Sequence, residues 1–189
     1  NTNNVGLGFA AGYYNVTGQN NTYLGTNAGK GASGNSNSSN TAVGKDALLD
    51  ITTGTYNVVV GDRVAQNLTT GGYNVIVGSG SGTETTDVDQ CVIVGYGACA
   101  DGALTGGGNA DKTVAIGYDC LKNLSSGAAN TAVGYNAGTA ISTGAGNTIL
   151  GYAAGDSMYS SSSNNVYIGR NAGGGSHTGD HSSENVLIG

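Results

Sequence analysis

The phrase NTAVGYNAG at residues 130–138 decides the fold, because a closely similar phrase, NTAVGKDAL, stands at residues 40–48. The glycine of this phrase has equivalents along the whole chain. Six of the ten intervals between them are 17 residues, and the others are 18, 19, 20 and 22, so every deviation is an insertion. A fixed period of this length is typical of a solenoid. The phase glycines are Gly8, Gly25, Gly44, Gly61, Gly78, Gly95, Gly117, Gly134, Gly151, Gly169 and Gly189.

The residues before each phase glycine predict a short β-strand. An aliphatic residue always precedes the glycine directly, and Thr or Val always stands three residues before it, as in Val133 and Thr131. Positions two apart on an extended chain share a face, and β-branched residues suit a pleated surface. We therefore expect these two positions to face the coil interior. Asn stands four before the glycine in nine of eleven units, with Cys91 and Thr113 as exceptions, which predicts a corner with a ladder of stacked amides.

The residues after the glycine predict a thin interior. Small residues recur three and four positions after it, such as Ala137 and Gly138, and a further apolar residue such as Ile141 follows at the seventh position in some units. So few apolar side chains cannot offset the entropy of ordering one coil, so the coils must stack. The sequence predicts an all-β fold, a parallel β-solenoid (β-roll) of about eleven coils with a 17-residue base repeat. Residues 1–189 form a single repeat domain in this interpretation.

The middle strand position, two before the glycine, is also apolar in nearly every unit. A strand that is apolar on both faces is expected to be covered on both. We therefore expect this position to face another copy of the chain, in a homo-oligomer. The alternative is that good strand formers simply occupy an exposed face. The expected interface residues are Tyr23, Val59, Ile76, Ile93, Ile149, Tyr167 and Leu187.

The phrases NTAVGYNAG, NTAVGKDAL, NTILGYAAG and NVYIGRNAG resemble the repeats of bacteriophage and prophage tail-fibre proteins. They resemble more loosely the head repeats of trimeric autotransporter adhesins, whose repeat is shorter. The resemblance covers essentially the whole chain. It implies a trimeric β-roll, an extracellular location on a virion or a bacterial surface, and attachment to host molecules. Because the chain begins and ends within the phrase, we expect it to be a segment of a longer fibre protein.

Composition and charge argue against several other classes. The chain has 36 Gly, no Pro, no Trp and one Phe, with a net charge of −6 and six scattered cations, so nucleic acid is not an expected partner. No apolar run reaches the roughly 20 residues of a membrane helix, so this segment is not expected to insert into a membrane. No acid, base and nucleophile set recurs, so we do not expect an enzyme. No metal or cofactor is predicted.

Two groups of residues have metal-ligand chemistry without a supporting pattern. One is the set of His177, Asp180, His181 and Glu184, whose spacing defines no geometry in a Gly and Ser loop. The other is the set of Asp87, Asp89, Asp101 and Asp111, which lacks the Gly-rich calcium repeat. Cys99 and Cys120 could form a disulfide, but buried free thiols in place of small residues are the favoured interpretation.

The binding function is expected at two kinds of feature. Four insertions, beginning at Gly29, Cys99, Tyr159 and Gly173, are either ligand-contacting loops or a tolerant solvent edge. Tyrosines directly after four successive phase glycines predict an aromatic ladder, either a platform for a glycan or a purely stabilising stack. These tyrosines are Tyr96, Tyr118, Tyr135 and Tyr152.

The sequence favours the structural and receptor-binding part of an extracellular or virion fibre, attaching to a cell-surface carbohydrate or protein. A purely structural subunit of an extracellular filament is the alternative. An ice-binding solenoid is a remote third hypothesis, because Thr shares its position with Val and is expected to face inward.

Overall fold

A computed structural model describes residues 2–102, 110–174 and 183–189, and shows a single continuous stack of coils. Each coil contributes one three-residue strand, and all strands form one parallel sheet in chain order, with no helix among the described residues. The β-solenoid predicted from the repeat is confirmed. The strands are β1 (Val5–Leu7), β2 (Thr22–Leu24), β3 (Thr41–Val43), β4 (Val58–Val60), β5 (Val75–Val77), β6 (Val92–Val94), β7 (Val114–Ile116), β8 (Thr131–Val133), β9 (Thr148–Leu150), β10 (Val166–Ile168) and β11 (Val186–Ile188).

The register is in phase at every step of the sheet, so equivalent residues of successive coils are paired. Val58 of β4 pairs with Val75 of β5, for example, and Val59 pairs with Ile76. Ten such steps at a strand spacing of about 4.8 Å give a sheet roughly 48 Å long. Insertions of one to five residues leave this register unchanged because they lie between strands.

The phase glycines form a close-packed backbone column. Gly61 has φ +146, and a Cβ atom built there would lie 2.9 Å from the carbonyl carbon and oxygen of Gly78 in the next coil. The positive φ disfavours any residue other than glycine, and the close approach of Gly78 leaves no room for a Cβ atom. This explains why glycine recurs once per coil and why the strand ends where it does.

The corner asparagines form the predicted ladder. The Asn57 side-chain oxygen accepts hydrogen bonds from the backbone N–H of Asn74 (3.2 Å) and from its side-chain amide (2.9 Å), while the Asn57 amide donates to the Gly71 carbonyl (2.9 Å). Asn130, Asn147 and Asn165 repeat the pattern further along the rod. These side chains can be fully buried or nearly so, because their polar atoms have partners in adjacent coils.

The middle residues of β2 to β10 are buried inside the coil, so the expected orientation of the strand is wrong. Ile149 is fully buried in the interior, close to Gly138 and Ile141. Thr148 and Leu150 on either side of it are exposed. The residues expected at an interface with another copy instead belong to the core of their own chain. Those that are at most 2% exposed are Tyr23, Val59, Ile76, Ile93, Ile149 and Tyr167. Leu187, at the last strand, packs against the same cluster.

In several coils the middle residue and the residue four after the phase glycine have complementary sizes. Where the middle residue is Tyr23 or Tyr167, the residue four after the phase glycine is Gly29 or Gly173, and a Cβ there would collide with the tyrosine ring. In two coils a small middle residue is matched by a large residue at the same position. Ala42 and Ala115 are matched by Leu48 and Leu121, all fully buried. The two positions therefore share one interior volume.

Candidate functional site

The outward positions of the strands form a continuous surface, which we call the outer stripe. It consists of the first and third residue of every strand, 18 aliphatic side chains and four threonines, with no charged residue. Val58 and Val75 are 43% and 39% exposed, and Leu150 is 47% exposed. The stripe runs the full length of the sheet. A contiguous apolar surface of this extent is unusual for a soluble monomer.

The threonines of the outer stripe also correct an expectation about ice binding. Thr22, Thr41, Thr131 and Thr148 lie at the first position of their strands and point away from the coil interior. The inward orientation, on which ice binding was set aside, is therefore wrong. The stripe is nevertheless mostly aliphatic, because the third position carries Val, Ile or Leu in every strand.

The tyrosines that follow β6 to β9 form the predicted aromatic ladder. The ring centroids of Tyr96 and Tyr118 are 5.3 Å apart, those of Tyr118 and Tyr135 are 5.2 Å apart, and those of Tyr135 and Tyr152 are 5.1 Å apart. The rings are within 16° of parallel at each step and about half exposed. The Arg170 guanidinium lies 5.6 Å from the Tyr152 ring centroid and covers that end of the ladder. The predicted stacking of the rings is confirmed, and the role of the ladder, a glycan platform or a purely stabilising stack, remains a prediction.

A second aromatic pair was missed by the sequence analysis. Tyr56 and Tyr73 stack with their centroids 4.9 Å apart and are both more than half exposed. Each stands five residues before a phase glycine, with φ near +60, a conformation that this position adopts in every coil. The signal was available in the sequence, since the two tyrosines are 17 residues apart and therefore adjacent on the rod.

Two of the four insertions contribute packed residues and not only solvent loops. In the insertion that begins at Gly29, Asn37 is fully buried and accepts a hydrogen bond from the Tyr23 hydroxyl. Burial raises the pKa of that tyrosine well above its usual value. In the insertion that begins at Tyr159, the buried Ser162 accepts a hydrogen bond from Asn147 through its carbonyl. Parts of the insertions from Cys99 and Gly173, at 103–109 and 175–182, lie outside the described residues.

The candidate metal ligands do not form a cluster among the residues that the structure describes. His177, Asp180 and His181 lie outside the described residues. The Asp89 carboxylate accepts a hydrogen bond from the Gly72 backbone N–H (2.6 Å), and the Asp111 carboxylate accepts one from the Asp89 backbone N–H (2.9 Å). Both carboxylates therefore bind backbone groups of a neighbouring coil. Within the described ranges, no group of three or more His, Cys, Asp or Glu side chains is arranged to hold a metal ion.

All three cysteines are buried free thiols. The backbones of Cys99 and Cys120 are joined by a hydrogen bond between neighbouring coils (3.0 Å), and the side chains pack in the core. Burial raises the pKa of Cys91 to about 11 and that of Cys120 to about 12. The thiols therefore stay protonated at neutral pH and are poor nucleophiles.

Comparison with protein-family models, with curated protein sequences and with solved structures finds no match to this chain. The described part of the chain also contains no helix that is long and apolar enough to cross a membrane.

Proposed function

We propose that this chain is the structural and receptor-binding part of an extracellular or virion fibre, which attaches to a cell-surface glycan or protein. The observation that carries the proposal is the outer stripe, an uncharged apolar surface along the whole sheet. The resemblance of the repeated phrases to tail-fibre repeats supports the same function.

The occupant of the outer stripe is a second copy of this chain. A partner that covers the stripe must match its length and its strand repeat of about 4.8 Å. Another copy meets both requirements, because every coil presents the same two outward positions. The absence of charge in the stripe also favours an apolar partner surface over a polar one. In a closed symmetric assembly, the stripes of all copies lie near the axis and are removed from water together.

The number three comes from the resemblance to tail-fibre and adhesin repeats. In a trimer the three stripes would form the central core, and the tyrosine ladders would remain on the outside. Exposed tyrosines in a regular array suit contact with sugars, because the ladder presents a row of ring edges and hydroxyls and one ring face, that of Tyr96, has no stacked tyrosine on it. The trimer thus joins a structural role at the axis to a binding role at the surface.

Mass measurement in solution tests the assembly. Sedimentation equilibrium of the 18.5 kDa chain is expected to give a trimer, and a stable monomer would contradict the proposal. Long polymers would favour the purely structural filament. The double variant Val58→Lys/Val75→Lys is expected to dissociate the trimer, because two like charges per chain would be buried at the axis. The matched variant Thr53→Lys/Thr70→Lys changes exposed positions in the second half of the coil and should leave the mass unchanged.

Ice binding is a second candidate function, favoured by the outward orientation of four threonines on a regular sheet. It requires that the outer stripe be free in solution. Thermal hysteresis measured on the same samples separates the two: hysteresis from a monomer would favour ice binding, and a trimer without hysteresis would favour the fibre.

A further inference from the structure

A cleft of about 350 Å³ opens on the surface beside Tyr96, and two glycines create it. Gly80 and Gly97 stand two residues after their phase glycines, at a position with positive φ in every described coil. Elsewhere this position carries a side chain at φ values of 49 to 58, so the backbone does not require glycine there. The residues that occupy it in the other coils are Ala10, Asn27, Asp46, Arg63, Asp119, Asn136, Ala153 and Asn171.

Packing does not require Gly80 either. A Cβ atom at Gly80 would meet nothing within 4 Å, and one at Gly97 would meet only the end of the Asp119 side chain. The two glycines therefore leave empty space at the level of Gly80 and room for the end of the Asp119 side chain at the level of Gly97. We call this space the Gly80 cleft. Its walls include Arg63, Gln66, Ser79, Thr83, Tyr96 and Asp119. Its volume lies within the range of small-molecule sites, roughly 300–1,000 Å³.

The aromatic ladder ends at the Gly80 cleft. One face of the Tyr96 ring stacks on Tyr118, while the preceding coil places Ser79, and not an aromatic residue, at the equivalent position. The other face of Tyr96 is therefore directed to the level of Ser79 and Gly80, and the side chain is 59% exposed. At the opposite end of the ladder, Arg170 covers Tyr152. A flat ring with an apolar face would fit at the level of Ser79 as one further rung.

The polar groups around the Gly80 cleft alternate in sign and partly neutralise one another. Arg63 forms an ion pair with Asp62 (3.0 Å), and Lys122 lies 3.4 Å from Asp101 and 3.5 Å from Asp119. Asp119 and Asp101 together raise the pKa of Lys122 above its usual value. With Glu84, the lining holds three carboxylates and two cations. This mixture offers both donors and acceptors to hydroxyl groups and gives no net attraction to an anion.

We propose that the Gly80 cleft binds a neutral hexopyranose, with one C–H face of the sugar stacked on Tyr96 and its hydroxyls hydrogen-bonded to Arg63, Gln66 and Asp119. The proposal rests on the proposed receptor-binding function and names its ligand class and its site. A pyranose is the ligand that combines the two features of the cleft, because it has an apolar face and a polar rim. The other three tyrosines extend and orient Tyr96 by stacking.

Saturation-transfer NMR on the full chain tests the proposal, with the methyl glycosides of glucose, galactose, mannose and N-acetylglucosamine as probes. At least one is expected to bind. The variant Ser79→Tyr is expected to place a ring on Tyr96 at the ladder spacing, to fill the cleft, and to weaken binding tenfold or more without lowering the melting temperature. Thr26→Tyr is the matched control, since it adds a tyrosine at the same coil position away from the cleft.

A second pair of variants tests the role of the open ring. Tyr96→Ala is expected to weaken binding tenfold or more, whereas Tyr135→Ala, two rungs away, should change it less than threefold. Equal losses would overturn the assignment of Tyr96. Binding of none of the four probes, unchanged binding by Ser79→Tyr, or tighter binding of anionic sialyllactose than of every neutral probe would each overturn the cleft proposal.

Binding of the trimer to glycan-coated or cell surfaces separates this proposal from the fibre function. If surface binding persists in Ser79→Tyr, the receptor-binding function stands and the cleft is not its site. If the probes bind in the cleft but the wild-type chain attaches to no surface, the cleft stands and the attachment function fails. Loss of both kinds of binding in Ser79→Tyr, with both retained in Thr26→Tyr, supports the two together.

Discussion

At the scale of single residues, the corner asparagines provide the polar connection between coils. In the regular part of the ladder, as at Asn40, Asn57, Asn130 and Asn147, the side-chain oxygen accepts two hydrogen bonds from the next asparagine and the amide donates to a backbone carbonyl 14 or 15 residues ahead. A buried amide in an all-carbon interior would be costly, but here its hydrogen-bonding capacity is used. Where the ladder is interrupted, Thr113 is left with a buried hydroxyl that has no partner among the described residues.

The variant Asn57→Ala is expected to lower the free energy of unfolding by about 3 kcal/mol or more. It leaves the Asn74 backbone N–H and the Gly71 carbonyl without the Asn57 side chain in a buried site, and each such loss costs about 1–3 kcal/mol. Urea unfolding measures the change. Asn67→Ala is the control, because its amide bonds Glu84 at an exposed site, so its loss should stay below about 1 kcal/mol. Equal losses in both variants would contradict the ladder argument.

The buried thiols make stability depend on alkaline pH. The pKa of Cys91 is raised to about 11 and that of Cys120 to about 12 by burial, whereas thiols of an unfolded chain titrate near about 8.5. The folded protein therefore holds these protons more tightly. Their contribution is complete below about pH 8.5 and is lost as the pH rises toward the folded values. Urea unfolding at pH 7.5 and 9.8 is expected to show lower stability at the higher pH.

The control for this prediction is the variant Cys91→Ala/Cys99→Ala/Cys120→Ala. Its stability should fall less between the two pH values, since no buried thiol remains to titrate. The same pH dependence in the variant and the wild type would contradict the assignment to the cysteines.

At the scale of the strand, composition alone leaves the direction of the two faces undecided. The flanking positions are aliphatic or Thr, and the middle position is mostly apolar, so a three-residue strand is consistent with either face inside. The sizes of the middle residue and of the residue four after the glycine give only a partial indication. The sequence itself pairs Tyr23 with Gly29 and Ala42 with Leu48. Ala132 stands with Gly138, however, so the size pattern does not hold in every coil and does not settle the orientation.

Two glycine substitutions distinguish structural from functional glycines. Gly61→Ala is expected to lower the free energy of unfolding by about 3 kcal/mol or more, because φ is +146 and the new Cβ would approach Gly78 of the next coil. Gly80→Ala should cost only about 1 kcal/mol, since its φ of +66 is a left-handed value that side chains adopt in other coils. Thermal and urea unfolding compare the two. Similar costs would contradict the view that Gly80 serves to open the cleft.

At the scale of the whole molecule, each strand pairs only with its sequence neighbours, so the rod is a one-dimensional stack. Removing residues 135–151, one complete 17-residue coil, is expected to keep the fold and cooperative unfolding. The rod should shorten by about 4.8 Å, the spacing of one strand. Circular dichroism and small-angle X-ray scattering measure both effects.

The matched deletion removes residues 139–146, which is not a whole coil. It takes out the interior residue Ile141 and shifts the remaining chain out of register. Loss of the native sheet is the expected result. A fold that tolerated both deletions equally would contradict the role of the 17-residue period.

The sequence by itself determined the period, the strand position, the glycine column, the asparagine corner and the tyrosine ladder. Each is a local pattern repeated along the chain, and in-register stacking converts such a pattern directly into a column of contacts. Only the tertiary structure decided which strand face lies inside, since that depends on where the coil closes and how much volume its interior holds. It also decided the Gly80 cleft, because the space beside Tyr96 exists only when three coils place Arg63, Gly80 and Gly97 next to one another.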